Sequence, residues 1–531
     1  MKCAPLKTTG LIFVAAVFFG NAAQGQNLDQ IGVTLLRATT TNVDGSGIRV
    51  AQPEASQTAD LLTWQVNPAT VGRPVSLFTY TSSNGSANNY PNALGTESGH
   101  ADGVAGYFYG LNGGVATNVV HVDNYEANYF YNNIVAAIPF PPNINDPLVN
   151  QSFTFGNEPS QVSITQQQQI DSQYDNYATR DATLFVSAVN NGGAVSPPGT
   201  AYNCIGVGAY GSGASSSTGP TLDNGRCKPD ITAPAAATSF STPQVSGAAA
   251  LLMQAGRRGD GGNDTNSASD MRTIKALLLN GAVKPVDWTN SNSSPLDARY
   301  GAGVVNVFNA YQQLAGGKHG FIISTSVSSG AAHPPTGATD TVSVLNGWDF
   351  NTDTSSAIND AINHYYFNVT NAANSANFTA TATLVWNRQQ SQTGINNLNL
   401  FLYNAANGNL ITCSTSLVDN VEHLFVPQLA SGRYDLQVWK ASGVGVSFSE
   451  TYALAWEFSS QTLSITNSGA NTTLSWPAYP AGFRVEAATN LISAVWSTND
   501  LSSPGITNSR NSLILNATNT QQFFRLRQPN F

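Results

Sequence analysis

An α/β fold, with a parallel sheet covered by helices on both faces and followed by all-β units, is what this sequence predicts. Three observations carry that prediction. From residue 26 to 317, short apolar segments ("GIRVA", "NVVHV", "LFVSAV", "CIGVGA") alternate with small-residue helical stretches ("VAGYFYG", "QVSGAAALLMQA", "TIKALLLNGA"). Strands that read as unbroken apolar runs are buried on both faces, which requires helices above and below the sheet. Past residue 317 the helical pattern stops, and "INHYYFNV", "ATATLVW", "LNLFLYNAANGNL", "RYDLQVW" and "TYALAWEF" alternate with period two, with Asn407-Gly408 as a hairpin turn. Finally, 531 residues are too many for one core.

The elements divide the chain into four parts. Residues 1–25 look like a cleaved leader: Lys2 and Lys7 precede the apolar "LIFVAAVFFG", and Ala23 and Gly25 occupy the small positions before a cut. About ten apolar residues are too few to span a bilayer, so stable membrane insertion is not expected and the protein is read as secreted and soluble. Residues 26–317 form the α/β unit, 318–459 a jelly-roll-like β-sandwich, and 460–531 a small C-terminal β unit. Between Gln26 and the first strand near Ile48 there is no space for an inhibitory prosegment, so folding without one is expected.

Only 10% of residues are charged and the net charge is −9, without a basic stripe, which excludes nucleic acid as a partner. A monomer is expected. Cys3 departs with the leader, while Cys204 and Cys227 flank the Gly/Ser-rich "GSGASSSTG" and are expected to close it as a disulfide, leaving Cys413 unpaired. No Cys/His cluster has metal-ligand spacing. No cofactor is required, and structural calcium is not indicated.

Four stretches of the α/β unit carry chemistry at strand ends and helix starts, where the active groups of parallel sheets gather. "GSGIRVAQPEAS" is a strand ending in Glu54; "SGHADGVAG" sets His100 where a turn enters a helix; "LFVSAVNNGG" ends in Asn190 and Asn191; "KPDITAPAAATSFSTPQVSG" carries Ser239. Ser241 or Thr242, just before Pro243, suffices to start that last helix, so Ser239 is not needed as a cap. Plainer readings stand beside each residue. His121 is the other histidine between Glu54 and Ser239, inside a strand where a structural role is the commoner one. Asp44 and Asp60 could replace Glu54 as the acid, and Asn-Asn-Gly-Gly is turn chemistry in its own right. Asp102 reads as a solvated helix-start carboxylate.

These stretches resemble the subtilisin-like serine peptidases, the subtilases. "ATSFSTPQVSGAAALL" is similar to that family's Gly-Thr-Ser-Met-Ala-Thr-Pro-His-Val-Ala-Gly motif, which implies that Ser239 is the nucleophile. "GHADGVAG" is similar to Gly-His-Gly-Thr-His-Val-Ala-Gly and implies His100 as the base. "SAVNNGG" resembles Ala-Ala-Gly-Asn-x-Gly and implies Asn191 as the oxyanion-hole amide. "GSGIRVAQPEA" resembles Gly-x-Gly-Val-x-Val-Ala-Val-x-Asp, with Glu54 in the aspartate place. The order acid, base, nucleophile is the subtilisin order. "NQSFTFG" resembles the strand that pairs with extended substrate, which implies substrate contacts for Asn150, Ser152 and Phe153, with Phe153 and Phe155 partly filling an apolar pocket. Ala237, Asn190, Gly103 and Glu54 depart from the family pattern. The resemblance implies a secreted serine endopeptidase acting on protein or peptide substrates; the competing readings are a disabled peptidase fold used for binding and a surface protein whose β units carry the function.

Overall fold

The computed structural model describes residues 24–527 apart from 139–140, 158–159, 371–376, 444, 461, 469–470, 482, 492–494, 498–500, 502–503, 508–509 and 517–520. All but the last two residues of the predicted leader therefore lie outside the described residues.

Eight strands build the first sheet: β1 (Arg49–Glu54), β2 (Phe78–Ser82), β3 (Gly85–Ala87), β4 (His121–Glu126), β5 (Leu148–Gln151), β6 (Leu184–Ala188), β7 (Cys204–Tyr210) and β8 (Ile231–Pro234). Their spatial order is β8-β7-β6-β5-β1-β4-β2-β3, and every pair is parallel except the β2–β3 hairpin at one edge. Val50, Val122, Leu148, Val186 and Val207 are fully buried, the signature of a sheet covered on both faces. The longer helices are α1 (Gly99–Phe108), α2 (Ile164–Asp181), α3 (Thr238–Arg257), α4 (Met271–Asn280) and α5 (Val307–Ala315). The α/β class is as predicted. Chain order reverses at β1: β5 to β8 move outward on one side while β2 to β4 fill the other. In open α/β sheets the crevice outside the carboxyl ends of strands at such a reversal is where ligands bind.

Two antiparallel sheets follow, from β9 (Ile323–Ser328), β10 (Asn346–Thr354), β11 (Asn359–Val369), β12 (Asn377–Trp386), β13 (Leu398–Asn404), β14 (Leu410–Ser414), β15 (Val421–Ala430), β16 (Gly432–Lys440) and β17 (Ser449–Ser459). Their orders are β9-β11-β16-β13-β14 and β10-β17-β12-β15. Both contribute to one core that contains Tyr365, Phe367, Leu400, Leu436, Leu454 and Trp456, so they pack face to face as a sandwich. The hairpin predicted at Asn407-Gly408 joins β13 to β14, with Gly408 at φ +74°. Beyond Ser459, a four-stranded sheet and a two-stranded ribbon surround Leu474, Trp476, Val485 and Leu513.

The expected Cys204–Cys227 bridge is not formed; both thiols are free. Cys204 lies in β7 with its Sγ turned to the carbonyls of Pro198 and Ala201, 3.2 Å from each. Cys227 packs toward the sandwich, where its N–H donates to Asp419 Oδ1 at 2.7 Å. Buried ion pairs anchor the segment around Cys227, past the Gly/Ser-rich loop: Arg226 with Asp171 (2.9 Å) and Asp223 (2.8 Å), and Lys228 with Asp230 (2.6 Å).

Candidate active site

At the reversal point the carboxyl end of β1 meets the first turns of α1 and α3. Ser98 caps α1, its Oγ accepting from the Ala101 N–H at 3.2 Å, so His100 is the second helical residue. Helix α3 starts at Thr238, earlier than the Ser-Thr-Pro segment suggested, and Ser239 is therefore inside its first turn. The expected caps have other partners: Ser241 Oγ donates to Ala233 O (2.9 Å) and Thr242 Oγ1 to Thr238 O (2.7 Å). Pro243 has no N–H for the carbonyl four residues back, which is that of Ser239. Ser152 Oγ supplies the missing donor at 2.9 Å, tying the Ser239 backbone to the end of β5. First-turn amides such as that of Ser239 have no acceptor within the helix and face outward as donors.

Glu54 and His100 are brought together. His100 Nδ1 lies 2.9 Å from Glu54 Oε2, and both residues are buried, at 6% and 1% exposure. Donation from Nδ1–H to the carboxylate leaves Nε2 of the neutral ring as a proton acceptor. Among the described residues Nε2 has no hydrogen-bond partner. Ser239 Oγ donates to Ser152 O at 3.4 Å, so the contact between hydroxyl and imidazole is not made in this state. Catalytic hydrogen bonds of this kind commonly tighten only when substrate is present.

Asn191 follows β6 and is held from α3. Its Oδ1 accepts from the Thr238 N–H (2.7 Å) and from Thr238 Oγ1 (2.9 Å). With the carbonyl end of the amide engaged one residue before Ser239, the NH2 end is the one available to a ligand. Asn190 sits at φ +100°, a left-handed conformation that suits glycine and that asparagine tolerates; its Oδ1 accepts from the Asn191 N–H at 2.8 Å. Ala237 is extended, at φ −145°, so its Cβ introduces no backbone strain.

The expected substrate strand is packed more tightly than its motif suggested. Asn150 is fully buried, donating to Ser152 Oγ (3.1 Å) and accepting from Ser246 Oγ of α3 (2.8 Å). It reaches the site only through Ser152. Phe153 is buried against Ala55 and Ala127, and Phe155 stacks edge-on to Tyr131.

The alternative residues are engaged elsewhere. Asp44 receives Ser46 Oγ (2.6 Å) and Asn118 Nδ2 (2.7 Å); Asp60 receives Thr58 Oγ1 (2.5 Å) and is exposed. His121 Nε2 bonds Thr79 Oγ1 (3.1 Å) and Asp123 Oδ1 (3.3 Å) on the sheet. Asp102 is not the solvated carboxylate expected from its helix-start position: it is buried and accepts from the Asn67 N–H at 2.7 Å. Burial, with the Glu97 and Glu54 carboxylates nearby, pushes its carboxyl up to about 8.

Three residues beside the site escaped the sequence reading. Gln52 is fully buried in β1, and its Nε2 donates to Glu54 Oε1 (2.8 Å) and Ala101 O (3.1 Å). Tyr109 OH donates to Gln52 Oε1 at 2.5 Å. Phe240, next to Ser239, leans its ring on His100 with centroids 5.8 Å apart. The available signal for Gln52 was a lone amide inside an apolar strand, two residues before Glu54 and so on the same face. Among the described residues no group of three or more His, Cys, Asp or Glu is placed to hold a metal ion, and no helix is long and apolar enough to cross a membrane.

Residues 75–303 match the model of the subtilase family, Peptidase_S8. No curated protein matches the chain. Among solved structures the chain is similar to a serine protease of Aeromonas sobria (13% identity, TM-score 0.35, covering 93% of this chain and 90% of that one). It is also similar to tripeptidyl peptidase 2 (12% identity, TM-score 0.31, covering 75% of this chain and 43% of that one).

Proposed function

We propose that this chain, whose residues 75–303 match the subtilase family model, is a secreted serine endopeptidase working through Ser239, His100 and Glu54, with Asn191 in the oxyanion hole. The observation that carries this reading is the pairing of His100 Nδ1 with Glu54 at 2.9 Å while Nε2 stays unpartnered. An imidazole so held has one free basic nitrogen near the first turn of α3, where Ser239 lies.

As Ser239 Oγ attacks the peptide carbonyl carbon, its proton passes to His100 Nε2, and Glu54 balances the imidazolium charge. The carbonyl oxygen, now negative, takes hydrogen bonds from the Asn191 NH2 group and the Ser239 N–H. One such donor is worth about 10²–10³ in rate. The imidazolium then gives the proton to the amine nitrogen as the C–N bond breaks, and water hydrolyses the acyl-enzyme by the same route in reverse. Secretion accords with the low charge content and the leader-like segment at 1–25.

Labelling with a fluorophosphonate probe, followed by mapping of the adduct, tests the reading. An adduct on Ser239, lost in Ser239→Ala together with peptide hydrolysis, is the expected result. Absence of label on folded protein overturns it in favour of a disabled fold used for binding.

A further inference from the structure

We propose that Gln52 and Tyr109 are positioning residues that let a glutamate serve as the acid of this site. The inference rests on the peptidase reading above and deepens it. A glutamate carboxylate stands one methylene farther from its backbone than an aspartate, with one more torsion to fix. Unrestrained, it samples several rotamers, and each misdirected one leaves the imidazole free to turn.

The amide of Gln52 removes that freedom. Gln52 and Glu54 are on the same face of β1, and Nε2 of Gln52 grips Glu54 Oε1 at 2.8 Å, which turns Oε2 toward His100 Nδ1 at 2.9 Å. The same Nε2 donates to Ala101 O at 3.1 Å, in the helical turn that carries His100. One amide thus sets the spacing between the strand holding the acid and the helix holding the base. Tyr109, just past the end of α1, donates to Gln52 Oε1 at 2.5 Å and so decides which way the amide faces. A flipped amide would point its oxygen at both the Glu54 carboxylate and the Ala101 carbonyl and leave the phenol without an acceptor. Gln52 and Tyr109 are both fully buried, and a buried amide in an apolar strand is costly unless each polar atom is engaged, as here. The resembling family strand has valine at this place, so the amide accompanies the departure at Glu54.

Steady-state peptide hydrolysis by Gln52→Leu and Tyr109→Phe tests the proposal, with folding checked by circular dichroism. Gln52→Leu is expected to lower kcat about 10- to 100-fold with KM little changed, and Tyr109→Phe to follow in the same direction to a smaller extent. Glu54→Gln is expected to lower kcat by about 10⁴, the scale of turning a triad acid into its amide, and in that background Gln52→Leu should add less than about twofold. A merely structural glutamine would cost the same factor in both backgrounds. Parental kcat in Gln52→Leu, or equal losses in both backgrounds, overturns the proposal. Should Gln52→Leu not fold, Tyr109→Phe combined with Glu54→Gln provides the same cycle. Ser239→Ala assayed alongside separates the two claims: an inactive Ser239→Ala with a fully active Gln52→Leu rejects only this inference, and an active Ser239→Ala rejects the peptidase reading itself.

Discussion

Gly103 and Phe240 share one space beside His100. A Cβ at Gly103 would lie 2.9 Å from Phe240 Cε1, so the bare backbone of α1 makes room for the ring that follows Ser239. The family motif has histidine where Gly103 stands and methionine where Phe240 stands, and the two departures fit each other sterically. Asp102, the neighbour of Gly103, has a consequence for stability. Its carboxyl is pushed up to about 8 by burial and by the Glu97 and Glu54 carboxylates, from an ordinary value of 3.8. An acid that holds its proton more tightly when folded contributes stability that is complete below the unfolded value and lost as pH rises through the folded one. The protein should therefore lose this contribution between about pH 4 and pH 8. Asp102→Asn keeps an acceptor for the Asn67 N–H but cannot ionise, so its melting temperature should gain on the parent as pH rises. Thermal melts at pH 5 and pH 9 check this; an identical offset at both values rejects it.

Helix α3 shows how much of the site the element-level pattern made legible. Its run of Ala, Gly and Ser is buried from Thr238 to Gly256 except at Phe240, and small side chains let the helix lie close to β5, β6 and β7. The apolar strands and the hairpin are readable because burial and turn chemistry leave a local mark, while the juxtaposition of Glu54 with His100 is readable only through their strand-end positions and the motif resemblance. The start of α3 is not, because the sequence pattern puts Pro243 in the first turn whereas it lies further in, its missing bond compensated across space by Ser152. Gln52 and Asp102 were hidden for a similar reason: their partners, Tyr109 and the Asn67 N–H, come from other segments. The absent Cys204–Cys227 bridge belongs to the same class, since loop length says nothing about which way two strand-end side chains face. Gly247 provides an element-scale test. A Cβ there would stand 2.4 Å from Val115 Cβ, too close for any rotamer to relieve. Gly247→Ala should cost about 1–3 kcal/mol through overpacking, read as a lower urea midpoint at unchanged m-value. Unaltered stability would show that α3 can shift away from Val115.

At the scale of the whole molecule, the α/β unit and the sandwich share a continuous interior. Trp348, Val385, Val421, Ala453 and Ala455 of the sandwich belong to the same buried apolar cluster as Leu277, Leu278 and Leu314 of α4 and α5. Buried polar groups cross the boundary as well. Asn420 Nδ2 donates to Tyr202 O (2.9 Å), Thr383 Oγ1 to Asn280 Oδ1 (3.0 Å) and Trp348 Nε1 to Leu314 O (3.1 Å). The most connected is Asn203, in the α/β unit: its Oδ1 accepts from the Arg388 N–H at 2.8 Å and its Nδ2 donates to Arg388 O at 2.9 Å and to Asp175 O at 3.1 Å. A boundary made of shared apolar core and direct buried hydrogen bonds couples the two units, so they should melt together. Asn203→Leu keeps similar bulk but leaves the buried Arg388 N–H without its acceptor and removes one of the donors to Arg388 O. A buried donor so orphaned costs about 1–3 kcal/mol, a large share of the stability of an ordinary domain. Calorimetry of the full chain should then show one main transition for both units, moved down as a whole by Asn203→Leu. If a sandwich transition instead stays in place while that of the α/β unit falls, the two halves are thermodynamically separate and the shared interior does not couple them.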